Sequence, residues 1–204
     1  MSFSNNTAKA ETTIALLQMA MSEDPVRNMD RTDEAVQEAA GKGARIICLP
    51  ELYRSRYFPR EQNCPVAHLA ETIPGPSTKR FASLAQALQV VIILPLFEKG
   101  ADGKCYNAAV VIDADGSLLP TYRKIHLPQD PYFYEQDYFT GGNLGFPLYR
   151  TRYANFSVLI CYDQWFPEAA RLCTLQGAEI LFFPTAIGRI TGEVPEEGDW
   201  HDAW

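Results

Sequence analysis

A chain of 204 residues with 47% hydrophobic and 21% charged side chains has the composition of a soluble globular protein long enough to bury a sizeable core. Its 18 Lys and Arg against 25 Asp and Glu leave a net charge of −7 with no basic cluster, which speaks against nucleic acid or an anionic membrane as a partner. The 5 cysteines include no CxxC pair and the 3 histidines are scattered, so neither a disulfide framework nor a metal site is expected, and no apolar run approaches the roughly 20 residues of a membrane span.

Residues 1–11 are polar, lack the apolar stretch of a secretory signal, and read as a disordered leader to one domain over 12–204 of a cytoplasmic protein. A first buried strand is expected over 12–19. Asp24-Pro25 then supplies a helix cap and a first-turn proline, and the helix runs to Gly41 or Gly43. Residues 45–49 form a second strand that closes in Pro50-Glu51. Residues 52–72 mix aromatics and arginines without a period and read as an irregular, lid-like segment with one short helix near 66–70. A turn at 73–76 and a serine cap at Ser77 open the next helix, on which Phe81, Leu84, Ala85 and Leu88 share a face.

A third buried strand spans 90–97. Asp102-Gly103 and Asp115-Gly116 are hairpin signals, so 106–112 and 118–123 are expected to pair antiparallel and to deliver Lys124 at a strand end. Residues 128–145 form a long loop in which five aromatics flank Glu135, and a loop of that length in a compact domain is usually functional. A hairpin over 148–160 leads to Cys161, followed by a helix from Pro167 to about Gln176 and a strand over 179–183. From 188 onward the chain is polar and acidic, with no element that the pattern defends.

Three strand ends thus carry a carboxylate, an ammonium and a thiol: Glu51, Lys124 and Cys161. Taken singly, each has an ordinary alternative: a loop acid, a solvated lysine, a buried inert cysteine. Taken together they make an acyl-transfer set, because a thiol is a poor nucleophile at neutral pH unless a base or cation assists it. Glu51 takes the proton, while Lys124 and the backbone N–H of Tyr162 stabilise an oxyanion. His126 is the alternative base, by analogy with cysteine–histidine pairs.

Pro50-Glu51, Tyr122-Arg123-Lys124-Ile125-His126-Leu127 and Ile160-Cys161-Tyr162-Asp163-Gln164-Trp165-Phe166-Pro167-Glu168 resemble the three signature segments of the nitrilase superfamily of carbon–nitrogen hydrolases, in the family's order and spacing. The runs 161–171, 175–181 and 184–188 are similar to its N-carbamoylputrescine amidohydrolase branch. The resemblance implies a four-layer α-β-β-α sandwich and a catalytic set on Glu51, Lys124 and Cys161, with a second active-site glutamate at Glu135. It also implies no metal or organic cofactor, a small carbamoyl or amide substrate, and assembly into a homo-oligomer. A cationic substrate tail would suit an acidic surround, for which Asp163, Glu193, Glu196 and Glu197 are candidates. The family's pattern continues past Trp204, so the chain is expected to be a C-terminally truncated form with an open sheet edge.

Overall fold

The computed structural model describes residues 11–187; the expected leader, apart from Glu11, and Glu193, Glu196 and Glu197 lie outside them. Among the described residues there are three α-helices and ten strands, in the order β1 (Ile14–Leu16), α1 (Pro25–Gly41), β2 (Ile46–Cys48), α2 (Pro76–Leu88), β3 (Val91–Lys99), β4 (Cys105–Ile112), β5 (Tyr122–Arg123), β6 (Gln129–Asp130), β7 (Phe133–Tyr134), β8 (Tyr149–Arg150), β9 (Asn155–Val158), α3 (Pro167–Leu175) and β10 (Ile180–Phe182). One sheet has the order β1-β2-β3-β4-β5, parallel through β3 and antiparallel beyond it. A second sheet has the order β10-β9-β8, with β10 parallel and β8 antiparallel to β9.

The period of two in these strands divides the apolar residues between two cores. Ile46, Val91, Ile93, Ala109 and Val111 face the second sheet and pack with Tyr149, Phe156, Val158 and Phe182. Their neighbours Ile47, Ile92, Leu94, Val110 and Ile112 face the other way, against Val36 and Ala39 of α1 and Phe81 and Ala85 of α2. Ala169 and Cys173 are the buried positions of α3, and the Cys173 thiol meets Ser157 of β9. The layers are therefore helix, sheet, sheet, helix, as the resemblance implied. Among the described residues, no helix is long and apolar enough to cross a membrane.

Local signals set most of the element ends. Asp24 Oδ1 accepts the N–H groups of Val26 and Arg27 at 2.9 and 3.1 Å, as an N-cap does. Ser77 is a correction: Gly75 holds the cap position of α2, and the Ser77 N–H and hydroxyl instead donate to the two oxygens of the buried Glu71, at 2.8 and 2.6 Å. A carboxylate 6 residues upstream thus complements the helix N-terminus in place of the local serine. The strand expected over 118–123 shortens to Tyr122–Arg123, and the long aromatic loop contains the small β6–β7 hairpin and a 3-10 turn, Glu135–Asp137. The segment after β2 is tied down rather than loose, because the buried Asn28 of α1 donates from its amide to the Arg54 carbonyl at 2.9 Å.

Candidate active site

β2 ends at Cys48 and β5 at Arg123, and the next polar side chains, Glu51 and Lys124, turn toward each other inside the protein. Lys124 Nζ donates to Glu51 Oε1 at 2.9 Å and to Glu135 Oε1 at 2.7 Å, with all three side chains sealed from solvent. The alternation of β5 sends the neighbouring Arg123 elsewhere, where it clamps Glu98 with two bonds of 2.7 and 2.6 Å. Gly142 packs against this strand end: its N–H donates to the Lys124 carbonyl at 2.8 Å, and an added Cβ would lie 2.0 Å from the Arg123 carbonyl oxygen. Only glycine permits that approach.

Glu51 is held at both oxygens. Asn107 Nδ2 of β4 donates to Oε1 at 2.8 Å, and the Ala186 N–H beyond β10 donates to Oε2 at 2.8 Å. Glu135 Oε1 also accepts the Tyr57 hydroxyl at 2.6 Å, while its Oε2 is buried and has no hydrogen-bond partner among the described residues. A buried, unpaired carboxylate oxygen is costly, and a ligand N–H placed there would relieve it.

Cys161 does not sit on the strand itself. β9 stops at Val158, Ile160 stays extended, and Cys161 opens a 3-10 turn, Cys161–Trp165, with φ +44°. A non-glycine residue in that left-handed region is strained and persists only where its surroundings over-determine it. Here the Cys161 N–H donates to the Pro184 carbonyl at 3.1 Å, and Asp163 locks the turn. Asp163 accepts from the Tyr122 hydroxyl at 2.6 Å, the Ile160 N–H at 2.8 Å, the His126 N–H at 3.1 Å and His126 Nδ1 at 2.7 Å. Because Asp163 is fully buried and saturated, it is unavailable to a substrate's cationic tail, which corrects that expectation.

His126 is likewise placed differently from a base beside the thiol. Its Nδ1 proton is committed to Asp163 and its ring stacks on Phe166 at 3.7 Å. Asp163 and His126 therefore join the lysine-bearing segment to the cysteine turn. Asp163→Asn replaces one acceptor by a donor facing other donors, so the melting temperature should fall by roughly 5–10 °C, for a loss of about 2–3 kcal/mol. An unchanged thermal melt would remove Asp163 from this role.

Electrostatics set the resting proton positions. Burial, then the Glu51 charge, push the Cys161 thiol above its ordinary value, and the opposing pull of Lys124 does not reverse them. These effects favour the protonated thiol, which then needs a base to attack. Burial pulls the Lys124 ammonium down, but Glu51 and Glu135 more than reverse it and the lysine stays charged. Burial and the Glu51 charge push Glu135 up to about 7, against the pull of Lys124 and the Tyr57 hydroxyl.

An ammonium has three N–H groups, of which Glu51 and Glu135 take two, leaving one for an oxyanion. The Tyr162 N–H lies at the second position of the 3-10 turn, where helical geometry offers it no acceptor. Two carboxylates, an ammonium with one N–H to spare and a backbone N–H thus lie about a thiol, an arrangement chemically suited to attack on an amide-like carbon.

A cleft of about 880 Å³ opens between β1 and β10 and reaches Glu51 and Tyr57, with Arg56 and Arg60 in its walls, while Cys161, Lys124 and Glu135 are not among its lining residues. Ile14 and Leu16 of β1 stay 40% and 69% exposed over it. Sequence reading did not single out Asn107, Tyr57 or the Ala186 N–H. Asn107 had a signal, being the only strongly polar residue in an otherwise apolar strand. Tyr57 had none, because aromatics surround it in sequence. Among the described residues, no group of three or more His, Cys, Asp or Glu is arranged to hold a metal ion.

The family profile described as Carbon-nitrogen hydrolase matches residues 13–204. The chain is 44% identical over 194 residues to N-carbamoylputrescine amidase of Solanum lycopersicum, covering 94% of this chain and 63% of that protein. It is 42% identical over 176 residues to citrullinase of Francisella tularensis, covering 86% of this chain and 61% of the relative. The crystal structure of carbon-nitrogen hydrolase from Helicobacter pylori G27 superimposes with a TM-score of 0.85 at 39% identity, over 93% of this chain and 65% of that one. The chain thus spans somewhat under two thirds of the length of each.

Proposed function

Because this chain belongs to the carbon–nitrogen hydrolase family, we propose that it hydrolyses the terminal C–N bond of a small carbamoyl or amide compound through Cys161, with N-carbamoylputrescine as the first substrate to test. The observation that carries the reading is the buried Lys124 bridging Glu51 and Glu135 beside the Cys161 thiol.

In this scheme Cys161 Sγ attacks the ureido carbon as its proton passes to Glu51. Lys124 and the Tyr162 N–H hold the oxyanion, and Glu135 Oε2 accepts an N–H of the attacked group. Glu51 returns the proton to the departing nitrogen, and ammonia leaves a carbamoyl group on sulfur. Water then attacks, with Glu51 taking its proton, and as the C–S bond breaks Glu51 passes that proton to the sulfur. The carbamic acid released from N-carbamoylputrescine decomposes to putrescine and carbon dioxide.

Arg60 in the cleft wall, next to an Arg56 that already pairs with Glu23 at 3.0 Å, favours a second reading, in which the substrate's tail carries a carboxylate, as in citrulline or 3-ureidopropionate. Ammonia release from these three compounds and from a nitrile separates the possibilities. N-carbamoylputrescine is expected to be turned over fastest, and the nitrile, which brings no N–H to Glu135, to yield nothing measurable. Preference for the carboxylate compounds would replace the first reading by the second. Silence toward all four would overturn both.

A further inference from the structure

We propose that Tyr57 is a positioning residue of this site: its hydroxyl pins one carboxylate oxygen of Glu135 so that the other stays aimed at the nitrogen of the bound group. Glu135 Oε1 is claimed twice, by Lys124 Nζ at 2.7 Å and by the Tyr57 hydroxyl at 2.6 Å. Lys124 alone cannot fix the carboxylate, because a single bond leaves the group free to turn about its own axis and offer Oε2 to the ammonium instead. Two donors converging on Oε1 from different elements remove that freedom, and Oε2 is left buried without a partner among the described residues.

Tyr57 is itself held for the task. It precedes the 3-10 turn Phe58–Arg60, its ring lies 5.9 Å from Phe133 of β7, and it forms part of the cleft wall beside Glu51. It therefore stands between the cleft and the carboxylate, and ties Glu135 to the lid-like segment that follows Glu51. The bond also favours the ionised form of Glu135, the only form in which both oxygens are acceptors. Removing it raises the proton affinity of Glu135, so a step that needs the carboxylate should lose its acid side at a higher pH.

The inference shares the premise that Cys161 reacts with an amide-like group, but its test does not need the natural substrate. Cys161 would be alkylated with iodoacetamide, which carries N–H groups, and with its N,N-dimethyl analogue, which carries none, and adducts quantified at Cys161 by peptide mapping. The folded chain is expected to prefer iodoacetamide, and Tyr57→Phe, which keeps the ring, to shrink that preference by roughly tenfold, the scale of a lost hydrogen bond to a charged group. The midpoint of the preference against pH should also move up by about one unit in the variant. A merely structural tyrosine would lower both rates together and leave ratio and midpoint unchanged, which would overturn the proposal. If no ureido compound or amide is turned over yet the ratio shifts as expected, the substrate reading fails and the role of Tyr57 stands.

Discussion

Cys161→Ala is expected to abolish ammonia release, by at least about 10⁴-fold, while leaving the melting temperature within a few degrees. In the proposed scheme no other side chain can replace the sulfur, on which both the Glu51 and Lys124 charges act. The fold should tolerate the change, because the turn is set by the four bonds to Asp163 and by the Cys161 backbone, none of which involves the thiol. Alanine at φ +44° is no more strained than cysteine. Persistent turnover in the variant would sink the mechanism.

The raised proton affinity of the thiol also sets the pH dependence of Cys161 alkylation. A cysteine activated as a resting thiolate alkylates at a rate that levels off near or below neutral pH. Here burial and the Glu51 charge oppose the thiolate, so the rate for Cys161 should go on climbing with pH past the range of a free thiol. A plateau below about pH 7 would mean that Lys124 wins over burial, and would take from Glu51 the role of accepting the proton during attack.

Lys124→Met should be the most damaging change to the protein as a whole. Methionine matches the lysine in length but leaves Glu51 and Glu135 facing each other in the interior with no counter-charge. Breaking a buried ion pair from one side costs about 3–5 kcal/mol, which for a chain of this size lowers the melting temperature by on the order of 10 °C. Activity should vanish with it, since the oxyanion loses its cation.

The sign of the pH dependence follows. In the variant Glu135 loses the pull of Lys124 and binds its proton more tightly folded than unfolded, so the unfolded chain releases that proton first as pH rises and stability falls with it. The melting temperature of Lys124→Met should therefore be higher near pH 5 than near pH 8, approaching the parent's in acid. In the parent, Lys124 opposes the rise in Glu135, and the acid-side recovery should be smaller. Equal melting of the two proteins at pH 8 would show that the lysine compensates nothing.

Local patterns made a large part of this legible in the one-dimensional chain. Asp24-Pro25 opening a helix, the apolar runs at 46–48 and 91–97, and the turn signals at Gly103 and Gly116 each depend on residues close in sequence, and the elements stand near where those residues put them. The strand ends led to Glu51, Lys124 and Cys161, because a polar residue that closes an apolar strand is exceptional wherever it occurs, and the resemblance added Glu135 in the aromatic loop. Other features had no such mark. Asp163 reads as an acid for a cationic substrate tail, yet it ties together four donors from two segments, and Ser77 has the chemistry of a cap that the buried Glu71 diverts.

What the sequence determined by itself was which chemical groups this protein owns and at which strand ends they stand, since alternation, capping and turn chemistry act over a few residues. Only the tertiary structure decided what those groups are in place. The thiol is protonated because burial and a facing carboxylate outweigh a lysine, Asp163 is a strut because four donors surround it, and Tyr57 meets Glu135 across 78 residues of chain. Desolvation and pairwise charge depend on distance in space, and distance along the chain carries no information about them.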